Sequence, residues 1–263
     1  MPIAHPKNDY QIPRGRVYID LYDANEQLTG EIPMGNCPGF TLTVAAEKAE
    51  HFSSEEGMSE KDGSWPIKVT RTGALTCDNI SARNVASWLS GTHALKTQDA
   101  TPVDNEIRAV VPGRQYQLGA TAANPLGVRN VSTVSIKSED GQTSYVAGRD
   151  YNLSLETGRV QIIEGGQIAA GKVVFGYTPV AGQFESVMTG AKSDMTCAIR
   201  IVSDSAAGLD SDWYMPLVAL TPTGEMPLIT EDTKPVSMQF SLEVLKGPNA
   251  QAIYRDGRPV SIP

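Results

Sequence analysis

Apolar and polar side chains alternate most cleanly at residues 236–245. Val236, Met238, Phe240, Leu242 and Val244 fall on one side, and Ser237, Gln239, Ser241 and Glu243 on the other. A period of two puts successive side chains on opposite faces of an extended chain, so the pattern predicts a strand with one face in a core and one in water. Residues 40–44 read the same way, with Phe40, Leu42 and Val44 against Thr41 and Thr43, as do residues 17–22 and 197–202. A turn at Asp23-Ala24-Asn25-Glu26 predicts that residues 28–32 return as a hairpin with 17–22. Residues 67–71 continue past Gly73 to Leu75 and Cys77 as another strand. Residues 213–220 are apolar but carry Pro216, which has no N–H to donate and so predicts an edge position or a bulge.

One helix is expected. Ser81 is placed to cap it, Ile80, Val85, Trp88 and Leu89 gather on one face, and Gly91 suits the position beyond its end. Such a short helix with one apolar stripe should lie across a sheet, with Trp88 as its anchor in the core. Residues 92–108 lose periodicity and read as a connector. From Val110 to Pro179 the texture changes to short strands bounded by glycine, which predicts a β-sandwich-like module of its own. The strands on either side are too few, on each flank alone, to close a core. The expected organisation is therefore one discontinuous β domain, 1–105 with 183–263, interrupted by a module at 106–182. Residues 1–15, with Pro2, Pro6 and Pro13, read as an extended arm, and 257–259 as a tail.

The 263 residues give room for an ample core, and 24 Gly and 17 Pro agree with many short strands. No apolar run reaches membrane-spanning length. The first residues lack the apolar segment of a signal peptide, which points to synthesis in the cytoplasm. A net charge of −8 argues against gripping nucleic acid, because such binding needs Lys and Arg to displace counterions.

Catalytic chemistry has no residues to stand on. Cys37, Cys77 and Cys197 are unpatterned and read as reduced thiols; His5, His51 and His93 are not spaced for a metal. Asp204, Asp210 and Asp212 share a loop but lack the alternating carboxylates and following Glu of a calcium site. Asp150 and Glu156 are too ordinary a pair for acid–base work. Gly165-Gly166 and Gly171 do not head a helix, and neither a nucleophile elbow nor a phosphate-cradling loop is present. No enzyme, cofactor or metal is expected.

The most unusual stretch is 33–63. A turn and the strand at 40–44 lead into a polar run holding Glu47, Lys48, Glu50, His51, Phe52, Glu55, Glu56, Glu60, Lys61 and Asp62. Residues 45–52 have enough Ala and Glu for a helical turn. A charged excursion of this length is either disordered or reserved for a partner, so 45–63 is expected to order only on assembly. This run, with Gly30-Glu31 before it and 67–76 after it, resembles the major tail tube proteins of long-tailed bacteriophages. The inserted stretch, with Gly148-Arg149-Asp150-Tyr151-Asn152-Leu153, Thr157-Gly158-Arg159-Val160 and Tyr177-Thr178-Pro179, is similar to a module recurring in phage tail proteins.

The resemblance implies a mainly β fold: a tail-tube-type β-barrel or sandwich with one flanking short α-helix, plus the inserted module on the tube exterior. It implies hexameric rings stacked into a tube in the virion, assembled in the host cytoplasm. It also implies contacts with tip, terminator and tape measure proteins, DNA passing through the lumen unbound, and no membrane. Glu47 to Asp62 then form the inter-ring contact. The alternating strands suggest Thr41, Thr43, Ser237, Gln239, Ser241 and Glu243 as lumen-facing, with Phe40, Leu42, Val69, Ile199, Phe240 and Leu242 in the core. Lys68 and Arg200 fall on the polar side and are expected to pair with carboxylates such as Glu243. The competing reading is an immunoglobulin-like binding or adhesion protein, or a tail-tip component, displayed on a virion or cell surface.

Overall fold

A computed structural model describes residues 9–55, 57–190 and 195–259. In chain order its elements are β1 (Gly15–Leu21), β2 (Ile32–Pro33), β3 (Gly39–Ser53), β4 (Glu60–Cys77), α1 (Ala82–Trp88), β5 (Thr92–Gln98), β6 (Val103–Val110) and β7 (Gln115–Gln117). They continue with β8 (Val131–Ser138), β9 (Tyr151–Ser154), β10 (Arg159–Ile162), β11 (Gly171–Pro179), β12 (Gly182–Met188) and β13 (Met195–Ser203). The last are β14 (Ser211–Thr223), β15 (Met238–Val244) and β16 (Tyr254–Gly257). The fold is mainly β. Two units divide the chain: Met1–His93 with Val187–Pro263, and Ala94–Ser186.

The strands of the first unit form an antiparallel sheet in the order β2-β1-β13-β14-β15-β4-β3, with β16 also on β14. Its path is open, so the barrel form is not realised. At one end β2 pairs only through Tyr18–Pro33 and Ile19–Ile32, and Pro33 has no N–H to extend the ladder. One face of the sheet buries Ile19, Leu75, Ile199, Met215, Phe240 and Leu242, and Val85 and Trp88 of α1 pack on this cluster. Ser81 Oγ accepts the Asn84 N–H at 3.3 Å, capping the helix as its sequence predicts. At the other end it is Ser90, at φ 48°, that takes the left-handed conformation. Gly91 is required for space instead, since an added Cβ would lie 1.9 Å from the Met188 carbonyl oxygen. Ile80 is exposed.

Several expectations change. Residues 45–52 are not helical: β3 and β4 run on as a long hairpin, paired from Gly39–Thr76 to Ser53–Glu60. Backbone pairing along the ladder, not burial, extends these polar strands. Val69, expected in the core, is 47% exposed because its part of the hairpin has no opposing layer. Residues 28–32 return as a single bridge, Tyr22–Leu28, and the short β2. The strand containing Pro216 is central, not at an edge, and the proline lies at a bulge. Cys197 pairs with Val218 and Ile199 with Met215, leaving two residues of β14 opposite one of β13. The supposed connector at 92–108 holds β5 and β6, and the C-terminal stretch forms β16 on β14. Residues 1–8 of the N-terminal arm, His5 among them, lie outside the described residues, whereas Ile12 bridges to Ala207.

The second unit has two three-stranded sheets, β7-β10-β9 and β6-β11-β8, around Val110, Leu118, Ile136, Val160, Ile162 and Phe175. A boundary at 105/106 would cut β6, which pairs with β11; the structural division falls at 93/94 and 186/187, within β5 and β12. The reason is that the entering and leaving strands, β5 and β12, pair with each other as a two-stranded ribbon. Their own side-chain pattern is too weak to reveal them. Gln98 closes the base of the unit, its amide donating to the carbonyls of Arg129 (2.6 Å) and Val180 (2.8 Å).

Candidate functional site

In β15, Met238, Phe240, Leu242 and Val244 are buried, Gln239 and Glu243 are exposed, and Ser241 is half-buried. Ser237 precedes the strand. Register carries this polarity across the sheet, because residues paired in an antiparallel ladder share a face. Thr41, Ala74, Ser241 and Thr221 form one row over β3, β4, β15 and β14; Thr43, Thr72, Glu243 and Ala219 form the next. Five of the six proposed lumen residues therefore lie on one face, away from the core. Glu243 is the one ionisable group in these two rows; the rest are methyls and hydroxyls.

The residues proposed for inter-ring contact lie on the distal half of the β3–β4 hairpin, except Glu56, which lies outside the described residues. Within the hairpin Glu47 meets Lys68 at 3.8 Å and Glu50 meets Lys61, and the His51 ring hydrogen-bonds Asp62 at 2.5 Å. Each pair is solvent-exposed and worth about 0–1 kcal/mol. Lys48, Glu55 and Glu60 are exposed and join no ion pair among the described residues. Phe52, Met58, Trp65 and Ile67 are 52–77% exposed on the same arm. Two register shifts, at Glu47/Lys48 and His51/Phe52, add local twist.

Lys68 and Arg200 both have carboxylate partners, but neither partner is Glu243. Lys68 meets Glu47; Arg200 meets Glu31 at 2.5 Å, and its guanidinium lies 4.5 Å over the Tyr214 ring.

Asp210, just before β14, and Asp212, within it, are engaged structurally. Asp210 accepts the Ser205 N–H and meets Arg258 at 3.2 Å; Asp212 accepts the Ser203 N–H and meets the same guanidinium. Among the described residues, no three His, Cys, Asp or Glu side chains group to hold a metal. The Cys77 thiol donates to the Met34 carbonyl at 3.3 Å and accepts from the Asn84 amide at 3.6 Å; the neighbouring Cys37 thiol first, and the Asn84 amide with it, hold Cys77 below its ordinary range. Burial pushes Cys197 up to about 12. No described helix is long and apolar enough to cross a membrane.

Two features of the first unit escaped sequence reasoning. A groove of about 1060 Å³ is lined by Val17, Phe40, Ile201, Trp213 and Met215, with Arg14 and Arg16 also on its walls. Its lining comes from β1, β3, β13 and β14, so no local pattern marks it. In the loop after β14, Leu228 and Ile229 are 85% and 96% exposed. The Pro-Leu-Ile sequence among polar residues was the one available sign.

The model of one protein family, described as "Protein of unknown function UCP028589", matches residues 10–253. The match runs through both units, and the chain belongs to this family. No match was found among curated proteins.

Proposed function

We propose, for a chain whose family carries no assigned function, that it is a structural virion protein. Its copies join into hexameric rings that stack as the tail tube of a long-tailed phage, in contact with tip, terminator and tape measure proteins. The observation that carries this reading is the open sheet itself. Its end strand, β3, is 15 residues long and paired on one side only, and the face beside it is small, hydroxylated and nearly uncharged. A long free edge is an invitation to pair with another chain, and pairing between copies removes it. A face of Thr, Ser and Ala, whose cations Lys68 and Arg200 are paired with Glu47 and Glu31, offers phosphates little to hold, so DNA would slide past it.

The interrupted first unit also supports a tube subunit over the adhesion reading, which calls for complete sandwiches in tandem. The self-contained core of residues 94–186 is the feature that favours a display role, and it fits a module carried on the tube exterior equally well.

Negative-stain microscopy and size-exclusion chromatography of the purified protein test the reading. Rings or tubes with six-fold symmetry are the expected result. A protein that stays monomeric at high concentration, alone and with a tip complex as nucleus, sinks it.

A further inference from the structure

The groove and the Leu228–Ile229 loop are complementary in polarity and in charge. Aliphatic and aromatic side chains make much of the groove's lining, and its cations, Arg14 and Arg16, form no ion pair among the described residues. Among the described residues the Arg14 side chain donates only to the adjacent Pro13 carbonyl, at 2.9 Å. One acid, Asp204, is also in the lining. Its volume lies at the upper end of the range for small-ligand sites, enough for several side chains.

The loop is the opposite. Met226 packs against the core and roots it, while Leu228 and Ile229, two and three residues on, touch almost nothing. Glu225, Glu231 and Asp232 flank them, against the single cation Lys234. None of the three acids joins an ion pair among the described residues. The loop does not line the groove of its own chain.

We propose that the 225–232 loop of one copy inserts Leu228 and Ile229 into the groove of a second copy, with Arg14 and Arg16 meeting its acidic flanks. Apolar anchors in a pocket under a rim of opposite charges are the usual anatomy of a specific contact. Donor and acceptor are different surfaces, so the contact is head-to-tail and propagates until it closes into a ring or runs on as a filament. The inference rests on the polymer reading and names the surfaces that would join its subunits.

The test uses a fluorescein-labelled peptide of residues 224–236 and, as receptor, the full chain with Leu228→Asp and Ile229→Asp, which keeps the groove and lacks the loop anchor. Anisotropy should show saturable binding. Carrying the same two substitutions in the peptide, or adding Arg14→Glu and Arg16→Glu to the receptor, should weaken binding by about tenfold or more. Both arginines are exposed, so thermal melting should stay unchanged. In a mixing experiment, chains lacking the anchor and chains lacking the arginines should each be monomeric alone and form dimers together. Failure of the wild-type peptide to bind, together with no dimer on mixing, overturns the proposal. If only a chain shortened to begin at Asp9 binds peptide, residues 1–8 occupy the groove and the proposal is likewise overturned. The tube reading fails separately, if wild-type protein gives no rings or tubes while the peptide still binds.

Discussion

Phe240 of β15 lies opposite Leu75 of β4, and both side chains are fully buried. Leu75 in turn lies opposite Phe40 of β3, so one apolar row ties three strands of both chain flanks together. Replacing Phe240 by Ala should destabilise the first unit by about 3–5 kcal/mol, the usual result of emptying a large buried site. Phe240→Asp should leave that unit unfolded, because the site has no partner for a charge. Denaturant unfolding of both variants checks this, and a fully folded Phe240→Asp protein would contradict the assignment.

In the second unit Arg149 clasps the buried Asp150 side-on, Nε to Oδ1 at 3.0 Å and Nη2 to Oδ2 at 2.8 Å. The Val146 and Gln167 N–H groups also bond this carboxylate. Together, Arg149 first, they hold Asp150 well below the ordinary carboxylate range. A depressed carboxyl stabilises the fold fully above the unfolded value of about 4 and loses that contribution as pH falls through the folded value. Asp150→Asn should therefore lower the melting temperature at pH 7 and flatten its dependence on pH below about 4. Melting curves from pH 7 to 2 that stay parallel for both proteins would refute the role.

The outer half of the β3–β4 hairpin is a two-stranded ribbon without a second layer, and such ribbons are marginal alone. Its amides at 48–63 should exchange with solvent much faster than those at 40–43 and 73–76. Deleting residues 47–62 should leave the melting temperature nearly unchanged and abolish polymer formation. Polymers that survive this deletion would remove the hairpin from the inter-ring contact.

No residue of 94–186 belongs to the core cluster of the first unit. Joining His93 to Val187 through a short Gly/Ser bridge should yield a folded first unit that still assembles. Insolubility of every such joined chain would show that the insert helps the first unit to fold.

If the Thr41–Ser241 row faces DNA, Ser241→Lys adds a ring of positive charge to the channel without touching the core. Particles should assemble and release their genome more slowly. Ejection at the wild-type rate from virions that contain the variant would place this row elsewhere.

The sequence alone determined what depends on period and local chemistry. Strict alternation marked β15 and the start of β3, because a two-residue period has one structural solution beside a core. Ser81 announced the helix, since capping is a contact within one turn. Pro216 announced a bulge, but not that the bulge sits in mid-sheet, which depends on β13 pairing along one side of β14 and β15 and β16 along the other. Tertiary structure alone decided the rest. The outer hairpin and β5 have no buried face of their own, so only a partner strand makes them extended. Arg200 could have met any nearby acid; the fold brought Glu31 within reach, from a segment 169 residues away. The groove exists only where strands from both ends of the chain converge, so its lining carries no pattern that a single stretch of sequence could display.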